Sequence, residues 1–221
     1  LNTTANCVDI VVPTVDSRSY RSQSSYPYDP AAMEGFWQLH NDVIAAAFLC
    51  NSCRVATMHC GDTFSTFQGD WHQNVAHKAN LPAGVEQEVI VEGHQNFFEA
   101  VFLDLVNKLD VEEAPGVSML DNSLVMWSQE SGNHTHHSFS LPIVTAGSAG
   151  GFFKTGQYAD YRNLLIDKSS GENPTELMHP GLVMHNQWLA NVCRSMGLSP
   201  AEFDLDGNGG YGIFYMQPSA N

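Results

Sequence analysis

The chain has 221 residues, of which 43% are hydrophobic and 15% charged, enough apolar content to bury a core and to exclude intrinsic disorder. Nine basic against twenty-four acidic residues leave a formal charge of -15. With no Lys/Arg run or basic patch, this excludes nucleic acid as a partner, and an anionic substrate would need bound cations to approach.

The first 29 residues read as an extended arm or linker, rich in Ser, Thr, Pro, Tyr and Asp and without a sustained period. Residues 30–221 are expected to form one domain. Asp29-Pro30 is a helix start with Pro at its first position, and Met33, Phe36, Trp37, His40, Ile44, Ala47 and Phe48 follow at helical spacing to an end near Cys50. Arg54 to His59 reads as a short core strand and residues 60–85 as a long polar loop. Glu88 to Leu109 is the clearest helix, with Ile90, Phe97, Phe98, Val101, Phe102, Leu105 and Leu109 on one apolar face. Ser123 to Ser128 and Leu141 to Ala146 are continuous apolar runs, as in strands covered on both sides. A glycine-rich turn region, Gly147 to Gly156, follows, and a helix from Gly181 to Met196 is stopped by Gly197. Strands alternating with helices predict an α/β domain with a largely parallel sheet.

The longest strongly apolar stretch, Val43 to Cys50, is too short to span a bilayer, so no transmembrane segment is expected. The chain starts at Leu1 with no initiator Met and no signal peptide, as a processed or partial product would. Asn2-Thr3-Thr4 and Asn133-His134-Thr135 match the N-glycosylation sequon. Cys7, Cys50, Cys53, Cys60 and Cys193 make an odd set, so at least one lacks an intrachain disulfide partner. Cys50 and Cys53 have the spacing of a redox motif. They stand at a helix end rather than at the N-terminus that lowers a thiol pKa, which favours a structural disulfide or buried thiols.

Three constellations could hold a cation. Asp70, His72 and His77 share the long loop, where two imidazoles five residues apart can reach one ion; the alternative is a set of surface histidines. Glu130, His134, His136 and His137 follow the end of an expected core strand, where ligands gather in open α/β sheets and a metal or an anion could bind; the alternative there is a solvated, pH-sensitive loop. Asp204, Asp206 and Asn208, with Gly209 next but Tyr215 where a bidentate Glu belongs, are half of a calcium loop. They leave an improvised calcium site or a polar turn. No Gly-x-Ser-x-Gly elbow, Walker loop or dinucleotide glycine pattern is present.

Taken in order, Ala45 to Thr57, His72 to His77, Leu120 to Val125, His136-His137 running into Leu141 to Gly147, Gly150 to Gly156, and the helix with Leu189, Cys193, Met196 and Gly197 resemble the bacterial domain-of-unknown-function family 1552, over residues 30–203. The resemblance covers that family's C-terminal half. It implies an exported protein, secreted, periplasmic or at the cell surface, on an alkaline-phosphatase-like fold shared with sulfatases. In that comparison Glu130 takes the place of a metal-binding Asp, Ser131 replaces the His beside it, His137 resembles a later metal-binding His, and His72 and His77 resemble the ligands of a second metal site. The implied cofactor is a divalent cation, with zinc, calcium and manganese not distinguished. Since the clan's nucleophile lies in a half this chain does not contain, the resemblance leaves two readings. One is a non-catalytic scaffold or binding subunit that assembles with other chains and keeps a structural metal. The other is a metal-dependent phosphate- or sulfate-ester hydrolase whose nucleophile comes from an N-terminal half or partner chain.

Overall fold

The computed structural model describes residues 16–78, 85–129, 141–161 and 185–203. The chain divides into two compact units, Leu1–Leu120 and Asp121–Asn221.

The first unit is helical. Helix α1 (Arg18–Arg21) and a 3-10 turn (Tyr26–Tyr28) precede α2 (Pro30–Leu49), its longest element. Asp29 caps α2 by accepting the Ala31 and Ala32 amides at 3.1 and 3.4 Å, and Pro30 occupies a position whose missing N–H costs nothing. The other end closes as a Schellman motif. Ser52 N donates to Ala47 O at 3.0 Å and Asn51 N to Phe48 O at 2.8 Å, with Asn51 in the left-handed region at φ 53°. The helix begins and ends where the sequence places it.

The buried face of α2 carries Ala32, Met33, Phe36, Trp37, Asn41 and Ala45. Residues 16–28, read from sequence as part of an arm, supply Tyr20 and Tyr26 to this face. Tyr26 is buried and meets Phe36 edge-on at 5.7 Å between ring centroids. Gly35 lets Tyr20 approach, since a Cβ there would lie 2.5 Å from its ring. Arg21 spreads its guanidinium over Phe36, 4.6 Å from the centroid, an additional cation–π contact.

The helix expected over Glu88 to Leu109 is present as α3 (Val85–Phe97), a π-helical stretch (Phe98–Leu103) and α4 (Asp104–Leu109) in unbroken succession. The wider winding in its middle shifts carbonyls out of α-helical register. Asn41, fully buried on α2, donates at 2.9 Å to one of these, Val101 O, and at 2.9 Å to Asp104 Oδ2. Lys108 binds Asp104 at 2.6 Å and Asp42 at 3.0 Å. Burial alone would pull the Lys108 pKa down, but its hydrogen bonds to Asp104 and then Asp42 outweigh that and raise it. Two small strands, β1 (Glu112–Ala114) and β2 (Val117–Ser118), pair antiparallel around Gly116, and α5 (Met119–Asn122) follows.

The second unit is built on β3 (Val125–Ser128) and β4 (Ile143–Ala146), paired antiparallel with Val125 opposite Ala146 and Ser128 opposite Ile143. Helix α6 (His185–Ser195) sets Trp188 against this hairpin, with Nε1 2.9 Å from Met126 Sδ and the ring 5.0 Å from that of Phe153. Gly197, at φ 86°, ends α6 in a second Schellman motif, with Leu198 N on Cys193 O at 3.2 Å and Gly197 N on Arg194 O at 3.0 Å. Helix α7 (Pro200–Phe203) closes the described residues.

The largely parallel, alkaline-phosphatase-like α/β sheet expected from sequence is overturned. Among the described residues the sheets are β1–β2 and β3–β4, each of two strands and each antiparallel. β3 and β4 pair directly, as consecutive antiparallel strands can, whereas a parallel pair needs a crossover. Nor are they covered on both sides, since Met126 is 37% exposed. The strand expected over Arg54 to His59 does not form; Val55 is 70% exposed and only Met58 of that run packs against the core.

A candidate metal-binding histidine pair

The loop expected over residues 60–85 is anchored before it reaches its histidines. Phe64 and Ser65 are buried, and Asn96 of α3 donates to Phe64 O at 2.9 Å. Ser65 Oγ accepts the Phe67 amide at 3.1 Å, and Phe67 meets Trp71 edge-on. Asp70 then opens a turn: its carboxylate accepts Gln73 N at 3.0 Å and its carbonyl accepts Asn74 N at 2.9 Å. The next residues, His72–Ala76, wind as a single π-helical turn pinned by the buried Val75.

That winding makes the site. In an α-helix 3.6 residues complete a turn, so residue i+5 lies well off the face of residue i. Here His77 N donates to His72 O at 3.1 Å, an i→i+5 closure that brings the two side chains back together. Their Nε2 atoms stand 3.0 Å apart and their rings 4.6 Å apart at 79°. Both residues are exposed. The contact is a hydrogen bond when one Nε2 donates and the other accepts.

The same separation suits a metal ion. Imidazole nitrogens bind zinc at about 2.0–2.1 Å, so two of them on one ion lie about 2.9 Å apart at a right angle and about 3.4 Å apart at a tetrahedral angle. The pair at 3.0 Å falls within that interval. Asp70 is engaged with the backbone of the turn, as its organiser. Among the described residues no group of three or more His, Cys, Asp or Glu could hold a metal. Among the described residues the pair offers two nitrogen donors side by side.

Glu130, His134, His136 and His137, with both sequons, lie outside the described residues, as do Asp204, Asp206 and Asn208. Cys50 is disulfide-bonded while Cys53 is a free thiol, so the two are not joined to each other. Burial pushes the Cys60 thiol up to about 12, which keeps it protonated and inert.

One polar centre has no counterpart in the sequence analysis. Asp62 Oδ2 accepts from Tyr26 OH at 2.6 Å and from Trp37 Nε1 at 2.7 Å, joining three separate segments. Trp37 on the apolar face of α2 is the available signal, since a buried indole N–H needs an acceptor. Nothing in the sequence says which carboxylate provides it. No helix among the described residues is long and apolar enough to cross a membrane. Comparison with protein-family models, with curated proteins and with solved structures finds no match to the chain.

Proposed function

We propose that this chain is an exported, non-catalytic binding subunit that presents a divalent cation on His72 and His77 to a donor group of a partner chain. The observation that carries the reading is the π-helical turn, which holds two exposed imidazole nitrogens 3.0 Å apart. With two ligands from the described residues, a carboxylate, imidazole or water from a partner would complete the coordination. Nitrogen donors favour zinc and its neighbours over calcium and manganese, which prefer oxygen. The disulfide at Cys50 supports export, because disulfides persist in oxidising compartments.

Native mass spectrometry of the full chain titrated with zinc is the test. One zinc per chain is expected, with affinity lowered at least tenfold by His72→Ala or His77→Ala and uptake unaffected by excess calcium. Equal zinc uptake by the double variant would sink the reading.

A further inference from the structure

The chemistry left over by the histidine site lies at the end of α2. Cys50 caps that helix and is disulfide-bonded; Cys53, three residues on, is a half-buried free thiol. The chain between them does not run away from the helix. Ser52 N and Cys53 N both donate to Ala47 O, at 3.0 and 3.2 Å, so residues 50–53 wrap the last turn. A Cys50–Cys53 bond would span two intervening residues and needs a Cα–Cα separation of about 4.4–6.8 Å, which a loop folded back on the helix end favours. Ser52 Oγ donates to the same Ala47 carbonyl at 3.0 Å, which fixes the loop further. Cys53 Sγ lies 2.9 Å from Val55 O, so its S–H is held at a backbone carbonyl and not at a competing acid or base. Cys60, the other described thiol of this unit, packs against the core and is kept protonated by burial.

We propose that Cys50 and Cys53 form a thiol–disulfide exchange site, in which Cys53 resolves the disulfide at Cys50. The Cys53 thiolate attacks Cys50 Sγ, the Cys50–Cys53 bond forms and the existing bond at Cys50 breaks. The electron pair departs on the former partner's sulfur, which takes up the proton that Cys53 gave to solvent. One disulfide and one thiol are present before and after, so no oxidant or reductant is consumed. The consequence is a reversible tether: whatever is fastened to the end of α2 through Cys50 is released when the small loop closes. This inference does not depend on the cation reading.

The experiment uses the oxidised full chain, incubated without reductant at about pH 8.5, where ordinary thiols ionise appreciably. Samples are quenched with acid and N-ethylmaleimide and mapped by mass spectrometry without reduction. Expected is a peptide with an internal Cys50–Cys53 bond that grows at least tenfold over the zero-time sample, at a rate independent of protein concentration. Cys53 alkylation should fall in step, and a different cysteine should become alkylated. Cys53→Ser should keep the original linkage throughout. The proposal is overturned if Cys53 in the unmutated chain stays alkylatable and the original linkage persists, or if exchange appears only between molecules. Both outcomes are read on the unmutated protein, whether or not the variant folds.

Discussion

Phe64→Ala lowers the stability of the first unit by about 3–5 kcal/mol, the cost of emptying a site that a buried phenylalanine fills. Phe64 is 1% exposed and sits in the cluster of Tyr26, Ala32, Met33, Phe36, Trp37, Ala100 and Val101. Its ring meets Phe97 edge-on at 5.6 Å, so its loss also uncovers the face of α3. The backbone leaves little room for collapse into the hole, because Asn96 holds Phe64 O at 2.9 Å. Phe64 also stands in the left-handed region at φ 51°, where a side chain costs roughly 1–2 kcal/mol. Phe64→Gly removes the same ring but relieves that strain, and is expected to be no more damaging than the alanine. Amide hydrogen exchange, read on α2 and on Phe98–Leu103, isolates this unit from the second. Protection there should drop roughly a hundredfold or more, since each tenfold corresponds to about 1.4 kcal/mol. Unchanged protection would mean that the loop is not part of the core.

Why Phe64 escaped the sequence reading shows where legibility ends. The helices were legible because their signals are local. Asp29-Pro30 announces a start, the apolar spacing from Met33 to Phe48 sets a face, and Gly197 stops α6. The two apolar runs at residues 123–128 and 141–146 were also legible as strands, and β3 and β4 lie within them. Their pairing was not. An apolar run specifies burial, not whether its neighbour runs parallel, and the expectation of a parallel sheet came from counting alternations. Arg54 to His59 misled for a related reason: a short run with Val55 and Met58 reads as strand, but no strand among the described residues pairs with it. Phe64, Asp62 and Tyr26 occupy segments with no period, and their burial depends on contacts made across 25 or more residues. The histidine pair falls between these cases. Its spacing of five was visible, but an α-helix would part the two rings and only the π closure at His77 brings them together.

Asp62 is the polar counterpart of Phe64, and Asp62→Ala is expected to cost roughly 2–6 kcal/mol, because two buried donors lose their acceptor together at about 1–3 kcal/mol each. Tyr26 is 5% exposed and Trp37 6%, so water does not readily replace the carboxylate. Asp62→Asn keeps one acceptor oxygen at this position and turns an amide towards the remaining donor, so it should fall between the wild type and the alanine. The same centre fixes the response to alkali. Burial first, and then the hydrogen bond to Asp62, push Tyr26 from an ordinary 10.0 up to about 12, and burial lifts Cys60 from 9.0 to about 12. Both groups are neutral when protonated, and the folded state holds their protons more tightly than the unfolded chain does. Below the ordinary values neither makes stability depend on pH. Above them the unfolded chain ionises first, so stability is lost progressively between about pH 9 and 12. Cys60→Ala should remove the lower part of that decline and Tyr26→Phe the upper part. The latter also deprives Asp62 of a donor and lowers the plateau at neutral pH. Hydrogen-exchange protection of α2 in mildly destabilising urea, compared across that pH range, reads the three effects separately. A decline of unchanged slope in the Cys60→Ala, Tyr26→Phe double variant would place the alkaline sensitivity elsewhere in the unit and detach Asp62 from it.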